Sequence, residues 1–343
     1  MELAFILLLV FSSVSTYGMA SISEDDHRDL ERQVQMMTKS PMKSFVTKPD
    51  ISFVRSHAPS KVKSVQFESR EPCPVGTVPI PRMTKEDLIR AKSVGKMPSS
   101  KSQNTLSQHV VSLRDDMTEN IKYGGYGRSN VYKLAVTNDQ VSSHNMWIET
   151  GPPDHISMIV AGWQGNGYRD GCYNMLYQGF VQVDRLITPG FPFRDASTFD
   201  GPQFEFFVQV FQDPGGKSWW LVVGDPPTTI GYWPSELFLY LRNGSLHTGW
   251  GGVGLAGRDG VCPPMGSGHR PDGSYTRATF FRQLQWIDKD GTFRRPSPKT
   301  VKWVDKSNVY DLKNYGYGSR RKFGYWISFG GPGGYCGGGM DGL

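Results

Sequence analysis

An antiparallel β-sandwich or barrel is the fold expected of this 343-residue chain, on three observations. Short runs with strict apolar alternation recur. In FEFFVQVFQ (Phe204 to Gln212), Phe204, Phe206, Val208 and Val210 share one face, and Glu205, Phe207, Gln209 and Phe211 the other. Next, DPGGK (Asp213 to Lys217) supplies a turn and SWWLVVG (Ser218 to Gly224) returns, which reads as a hairpin. Finally, the 40 glycines exceed the usual fraction of about 7%, and with 13% aromatic residues they suit many short strands joined by tight turns. No internal repeat of constant period is present.

Taken in order, the chain opens with MELAFILLLVFSSVSTYGMA, an apolar run from Leu3 to Phe11 followed by small residues. A membrane span needs roughly 20 apolar residues, so the run suits a signal-peptide core over 1–20, with Glu2 where a basic residue is usual. The expected route is secretion. Residues 21–110 are richer in Lys, Ser and Pro and read as a partly helical pro-segment. Ser23 ahead of three acids makes an N-cap with favourable first-turn charge, and Pro41 ends that helix. The stretch Val94 to Gln108 reads as a linker open to processing. From about Tyr123 the pattern is β, through VYKLAV, HNMWIE, ISMIVAGW, GFVQVD, ELFLYLR, ATFFRQLQWID and FGYWISFGG. The expected division is therefore 1–20, 21–110 and a β domain over 111–343.

Composition narrows the function. The net charge of +6 comes from 38 basic and 32 acidic residues without a long single-sign block, which is not a nucleic-acid footprint. No later stretch is long and apolar enough to span a membrane. The chain lacks GxxxxGK[ST], HExxH and paired CxxC motifs, and its seven histidines are scattered, so neither cofactor nor metal is expected. Four cysteines (Cys73, Cys172, Cys262 and Cys336) allow two disulfides in three connectivities, or free thiols; Cys172 with Cys262 is one conceivable pair. Oligomeric state is not written in the chain. The sequon Asn243-Gly244-Ser245 reads as an exposed, glycosylated turn.

Several motifs carry a family resemblance. SMIVAGWQ (Ser157 to Gln164), GFVQVD, GYWPSELF (Gly231 to Phe238), GWGGVG (Gly249 to Gly254), MGSGH (Met265 to His269) and the upstream REPCPVGTVPIPR (Arg70 to Arg82) resemble the neprosin family. These are plant glutamic endopeptidases that cut beside proline. The resemblance implies a catalytic part of two stacked antiparallel sheets, preceded by an activation peptide released in acid by the enzyme's own action. It also implies a glutamate just before Ala-Gly-Trp and a second after Trp-Gly-Gly. Here those positions hold Val160 and Val253. The family's cysteine five residues beyond GCYN is Tyr177 here, and Val309 stands where the usual partner of Cys336 would be.

Two carboxylates cut a peptide bond because one stays ionised as base on water while its neighbour donates a proton. Valine can do neither, so the chain reads as a non-catalytic member. Displaced acids are the alternative, with Glu149 and Glu205 as candidates, each otherwise a solvent-facing strand carboxylate. A third reading is a structural secreted protein. Gln164 is the candidate oxyanion or substrate-amide contact. Trp163, Trp250, Tyr232 and Trp233 either line a groove that stacks on the proline rings of a peptide partner or belong to the core. Ser267 and His269 look like nucleophile and base, but two residues apart on a strand they cannot meet, and they read as scaffold.

Overall fold

The computed structural model describes the backbone of 5–11 and residues 62–80 save 69, 108–116, 119–137, 139–152, 156–165, 179–215, 217–317 and 321–336. The expected Ser23 helix, most of the linker, Cys172 and Tyr177 lie outside them. In chain order the strands are β1 (Phe5–Phe11), β2 (Lys63–Ser64), β3 (Gln108–Asp115), β4 (Gly124–Asn130), β5 (Val141–Thr150) and β6 (Ser157–Gly165). Then come β7 (Val181–Gln182), β8 (Phe204–Gln212), β9 (Trp219–Val223), β10 (Thr228–Trp233), β11 (His247–Leu255) and β12 (Val261–Cys262). The last are β13 (Thr279–Ile287), β14 (Phe293–Arg294), β15 (Val301–Val304), β16 (Asp311–Gly316), β17 (Trp326–Gly330) and β18 (Gly334–Tyr335).

These strands make two large sheets and a small one. The first sheet runs β1-β6-β5-β11-β3-β15, and the second runs β16-β17-β13-β4-β8-β9-β10-β7, with β14 on β13 and β2 on β8. The small sheet pairs β12 with β18. Pairing is antiparallel except where β2 lies parallel to β8. The sequence segment Phe5–Phe11 is the edge strand of the first sheet, antiparallel to β6. Among the described residues no helix is long and apolar enough to cross a membrane.

One apolar core joins the large sheets. Met146, Ile148, Ile159, Ala161, Trp163, Trp250, Val111 and Leu113 come from the first; Phe206, Val208, Val210, Leu221, Val223, Phe281, Ile327 and Phe329 come from the second. Sheets stacked this way put alternate residues of every strand inside. The alternation of β8 places Phe206, Val208 and Val210 in that core, as their spacing predicts. Phe207 and Phe211 face the opposite side, where Tyr126, Trp220, Val222, Tyr232 and Ile287 bury them in a second cluster. The β8–β9 hairpin closes with Gln212 opposite Trp219, and the Asp213 amide donates to the Ser218 carbonyl at 2.8 Å.

Two glycines set the shape of the first sheet. Gly162 on β6 and Gly251 on β11 both lie opposite Asn145 on the intervening β5. A Cβ at Gly162 would run into the His144 carbonyl oxygen, and one at Gly251 into that of Val111. Neighbouring backbones approach there as only glycine permits.

Candidate functional site

The alternation of the first sheet decides what reaches its outer face. On β6, Ile159, Ala161 and Trp163 enter the shared core, while Met158 and Val160 join a separate cluster with Trp147 and Val253. Val110 packs against that cluster. Val160 lies opposite Trp147 on β5, and Val253 opposite Ser143 on the same strand. Val160, Val253, Trp147 and Met158 thus form one apolar patch around β5, with Val160 only 1% exposed.

Polar side chains share the face. Gln164, Ser143 and Val253 form one row across three strands. Asn145, between the two glycines, donates to the Ser143 hydroxyl at 3.0 Å. Among the described residues the buried Gln164 Nε2 and Asn145 Oδ1 atoms have no hydrogen-bond partner. Amides and hydroxyls in this arrangement can hydrogen-bond a peptide, but none can take and return a proton near neutrality.

Among the described residues Glu149 is a carboxylate on this face, two residues along β5 from Trp147. It lies opposite Met158 on β6 and His247 on β11, and it is 6% exposed rather than solvent-facing. Burial raises its pKa, and the Arg114 guanidinium, 2.8 Å away, opposes that rise. Beside it, Asp116 meets the His247 ring at 3.0 Å, a contact that lowers the Asp116 pKa. A carboxyl whose pKa burial raises is a better proton carrier toward neutrality than an exposed one.

Glu205 sits in the other sheet. It is fully buried, again not solvent-facing, and Arg282 grips it twice, at 2.6 and 2.5 Å. Arg128 reaches it at 3.2 Å while also holding Asp225 at 2.7 and 3.1 Å. The solvent-facing expectation fails for Glu205 because β4 and β2 flank it, opposite Asn130 and Ser64, and the Arg128 and Arg282 side chains close over its carboxylate.

The tryptophans are interior. Trp163 and Trp250 are 0% exposed within the shared core, so the groove reading is corrected for both. Their ring nitrogens face Ser129 Oγ at 3.4 Å and the Tyr126 carbonyl at 3.1 Å. Trp233 is also in that core, against Phe180, and Tyr232 stacks at 4.6 Å on Trp220 in the second cluster. Gln164 alone among those groove candidates stands beside the valine patch. Ser267 donates to the Arg277 carbonyl at 2.7 Å and is not aligned with the His269 ring as a nucleophile would be.

The cysteine pairing also differs from the conceivable Cys172–Cys262 pair. Cys262 bonds Cys336, and Val309 belongs to the same shared core. Cys262 thereby supplies the partner that Val309 cannot. Among the described residues Cys73 is a free thiol.

Trp147, Met158, Ser143 and Asn145 escaped the sequence reading as site residues. Alternation in HNMWIE puts Asn145, Trp147 and Glu149 on one face, but strand register was needed to set them beside Val160 and Val253.

A sheet-based fold with these motifs in register has a counterpart among known families. The family model for neprosin matches residues 153–332, a span that includes both valines. The chain belongs to the neprosin family.

Proposed function

We propose that this chain is a secreted neprosin-family protein that has lost peptidase chemistry and retains its outer sheet face for binding a proline-rich peptide. The observation that carries the reading is the apolar patch itself: Val160 and Val253 pack with Trp147 and Met158, and no member can hold a proton. Removing one positioned acid or base typically lowers a rate by about 10²–10⁴, and both family positions are changed. Binding is supported by the unpartnered Gln164 Nε2 donor beside that patch, which is buried and which a peptide reaches only by displacing what covers it. Proline offers ring surface and a carbonyl but no N–H, so an amide donor next to an apolar wall suits it.

Purified precursor held at acid pH should remain one full-length band, with residues 21–110 attached. A proline-containing peptide should stay uncut. The informative comparison is Val160→Glu with Val253→Glu, because one carboxyl cannot serve as base and acid together. Processing gained only in the double variant supports a preserved site that has lost its acids. Self-processing by the unaltered chain refutes the reading.

Glu149 favours a second reading, proteolysis by a displaced acid, because it shares the face and burial raises its pKa. Glu149→Gln separates the two: self-processing by the unaltered chain that disappears in this variant would establish the displaced acid.

Passage through the secretory pathway has its own test. Asn243 is exposed at a turn where Gly244 has φ +87°, and its side-chain oxygen accepts from Lys217 at 2.9 Å. Secreted protein should gain mobility on a gel after glycosidase treatment, and Asn243→Gln protein should not. Unchanged mobility of the unaltered protein counts against the modification or the route.

A further inference from the structure

Cys262, Cys336 and His109 are far apart in the chain and adjacent in the fold. A ring nitrogen of His109 and the two sulfur atoms all lie within 4.8 Å of one another, and all three residues are buried. They come from separate places: His109 from β3, Cys262 from β12, and Cys336 from the residue after β18. The Nδ1 atom of His109 faces the Asp305 carboxylate at 3.2 Å. Among the described residues its buried Nε2 has no hydrogen-bond partner. A carboxylate behind one ring nitrogen fixes the tautomer and leaves the other nitrogen as a lone-pair donor, the usual support of a metal-binding histidine.

We propose that reduction of the Cys262–Cys336 disulfide converts this cluster into a zinc site, with both thiolates and His109 Nε2 as ligands and Asp305 as the positioning carboxylate. Zinc takes thiolate and imidazole ligands in a tetrahedron, and three protein ligands leave the fourth position for water. Bond lengths of about 2.3 Å to sulfur and 2.0 Å to nitrogen separate ligand atoms by roughly 3.5–3.8 Å. The donor atoms already lie within 4.8 Å of one another, and opening the sulfur–sulfur bond lets the two sulfurs separate toward that spacing. A buried nitrogen donor that the disulfide does not use gains its partner in the process.

The chemistry balances with a phosphine as reductant. Two electrons pass from phosphorus to the disulfide, water supplies the oxygen of the phosphine oxide, and two thiols result. Zinc then displaces two protons from those thiols. The two states exclude each other, because each sulfur either bonds its partner sulfur or the metal. The site is therefore gated by redox state.

Cobalt(II) reports such sites optically. Full-length protein reduced with a water-soluble phosphine, freed of reductant without air and titrated with Co²⁺ should show a thiolate-to-metal charge-transfer band saturating at one equivalent. Zn²⁺ should abolish the band, and oxidised protein should never show it. Cys336→Ser, which retains Cys73 and Cys172, should lose it. Asp305→Asn should weaken Zn²⁺ affinity about 10–100-fold, and His109→Gln should do so at least as much. Failure of reduced protein to bind Co²⁺, or equal binding by His109→Gln, overturns the proposal. Should reduction loosen the fold, Zn²⁺ must restore a cooperative melt to the unaltered chain and not to Cys336→Ser; no restoration also overturns it.

Discussion

Glu205→Gln should lower the unfolding free energy by about 3–5 kcal/mol, the range for removing one partner of a buried ion pair. Glu205 and Arg128 are wholly buried, and Arg282 nearly so. Arg282 binds both carboxylate oxygens, and the arrangement is completed by Arg128 bridging to Asp225. The amide introduced by the substitution would keep the shape and lose the charge. Arg282 would retain the Lys322 carbonyl at 3.2 Å and the Phe323 ring at 5.3 Å, but neither neutralises it. The large effect arises from the cation left behind, not from a large net stabilisation by the pair. Glu205→Leu with Arg282→Met should accordingly cost less than Glu205→Gln alone. Urea unfolding with an unchanged m-value is the measurement. A loss below about 1 kcal/mol, the range of a surface pair, would show that this cluster is wetter than its burial indicates.

Glu205 also marks where sequence reading stops. Alternation correctly divided β8 into Phe206, Val208 and Val210 against Glu205, Phe207, Gln209 and Phe211, because a strand's period is local. Assigning the second face to solvent needed knowledge of what packs there, and Trp220, Tyr232 and Ile287 arrive from other strands. Val160 and Val253 were legible because their flanking motifs are long. Trp163 and Trp250 were not placed, since an indole on a strand looks the same whether it faces a groove or a core. The disulfide was illegible for a related reason: Cys262 and Cys336 are separated by 74 residues, and only the β12–β18 pairing brings them together. His109 joins them through tertiary packing that no spacing rule encodes.

His144 should make the protein markedly less stable in mild acid, by about 3 kcal/mol near pH 4 relative to neutrality. The residue lies on β5 opposite Trp163 and Gly252, is 0% exposed, and neither ring nitrogen has a hydrogen-bond partner. Its ring contacts are aromatic: Trp163 at 4.0 Å and Phe329 at 5.0 Å. Burial pushes its pKa from 6.5 down to about 3. The unfolded chain therefore binds a proton near pH 6.5 that the folded chain refuses until about pH 3. Stability is fully present above the unfolded value and is lost as pH falls through that window. Glu149 acts in the opposite sense, because its raised pKa makes the folded state the better proton binder, although Arg114 limits the rise. The lowered carboxylates Asp116, Asp139, Asp288 and Asp311 lose stabilisation chiefly below their ordinary value of 3.8. Over the interval from about pH 6.5 to 4 those four carboxylates contribute little, and the histidine is opposed there by Glu149. His144→Met fills an apolar site without a titrating ring, and it should flatten the stability curve across that interval. Urea midpoints at neutral pH and near pH 4 give the comparison. An equal acid loss in both proteins would mean that His144 titrates in the folded state through water reaching its ring.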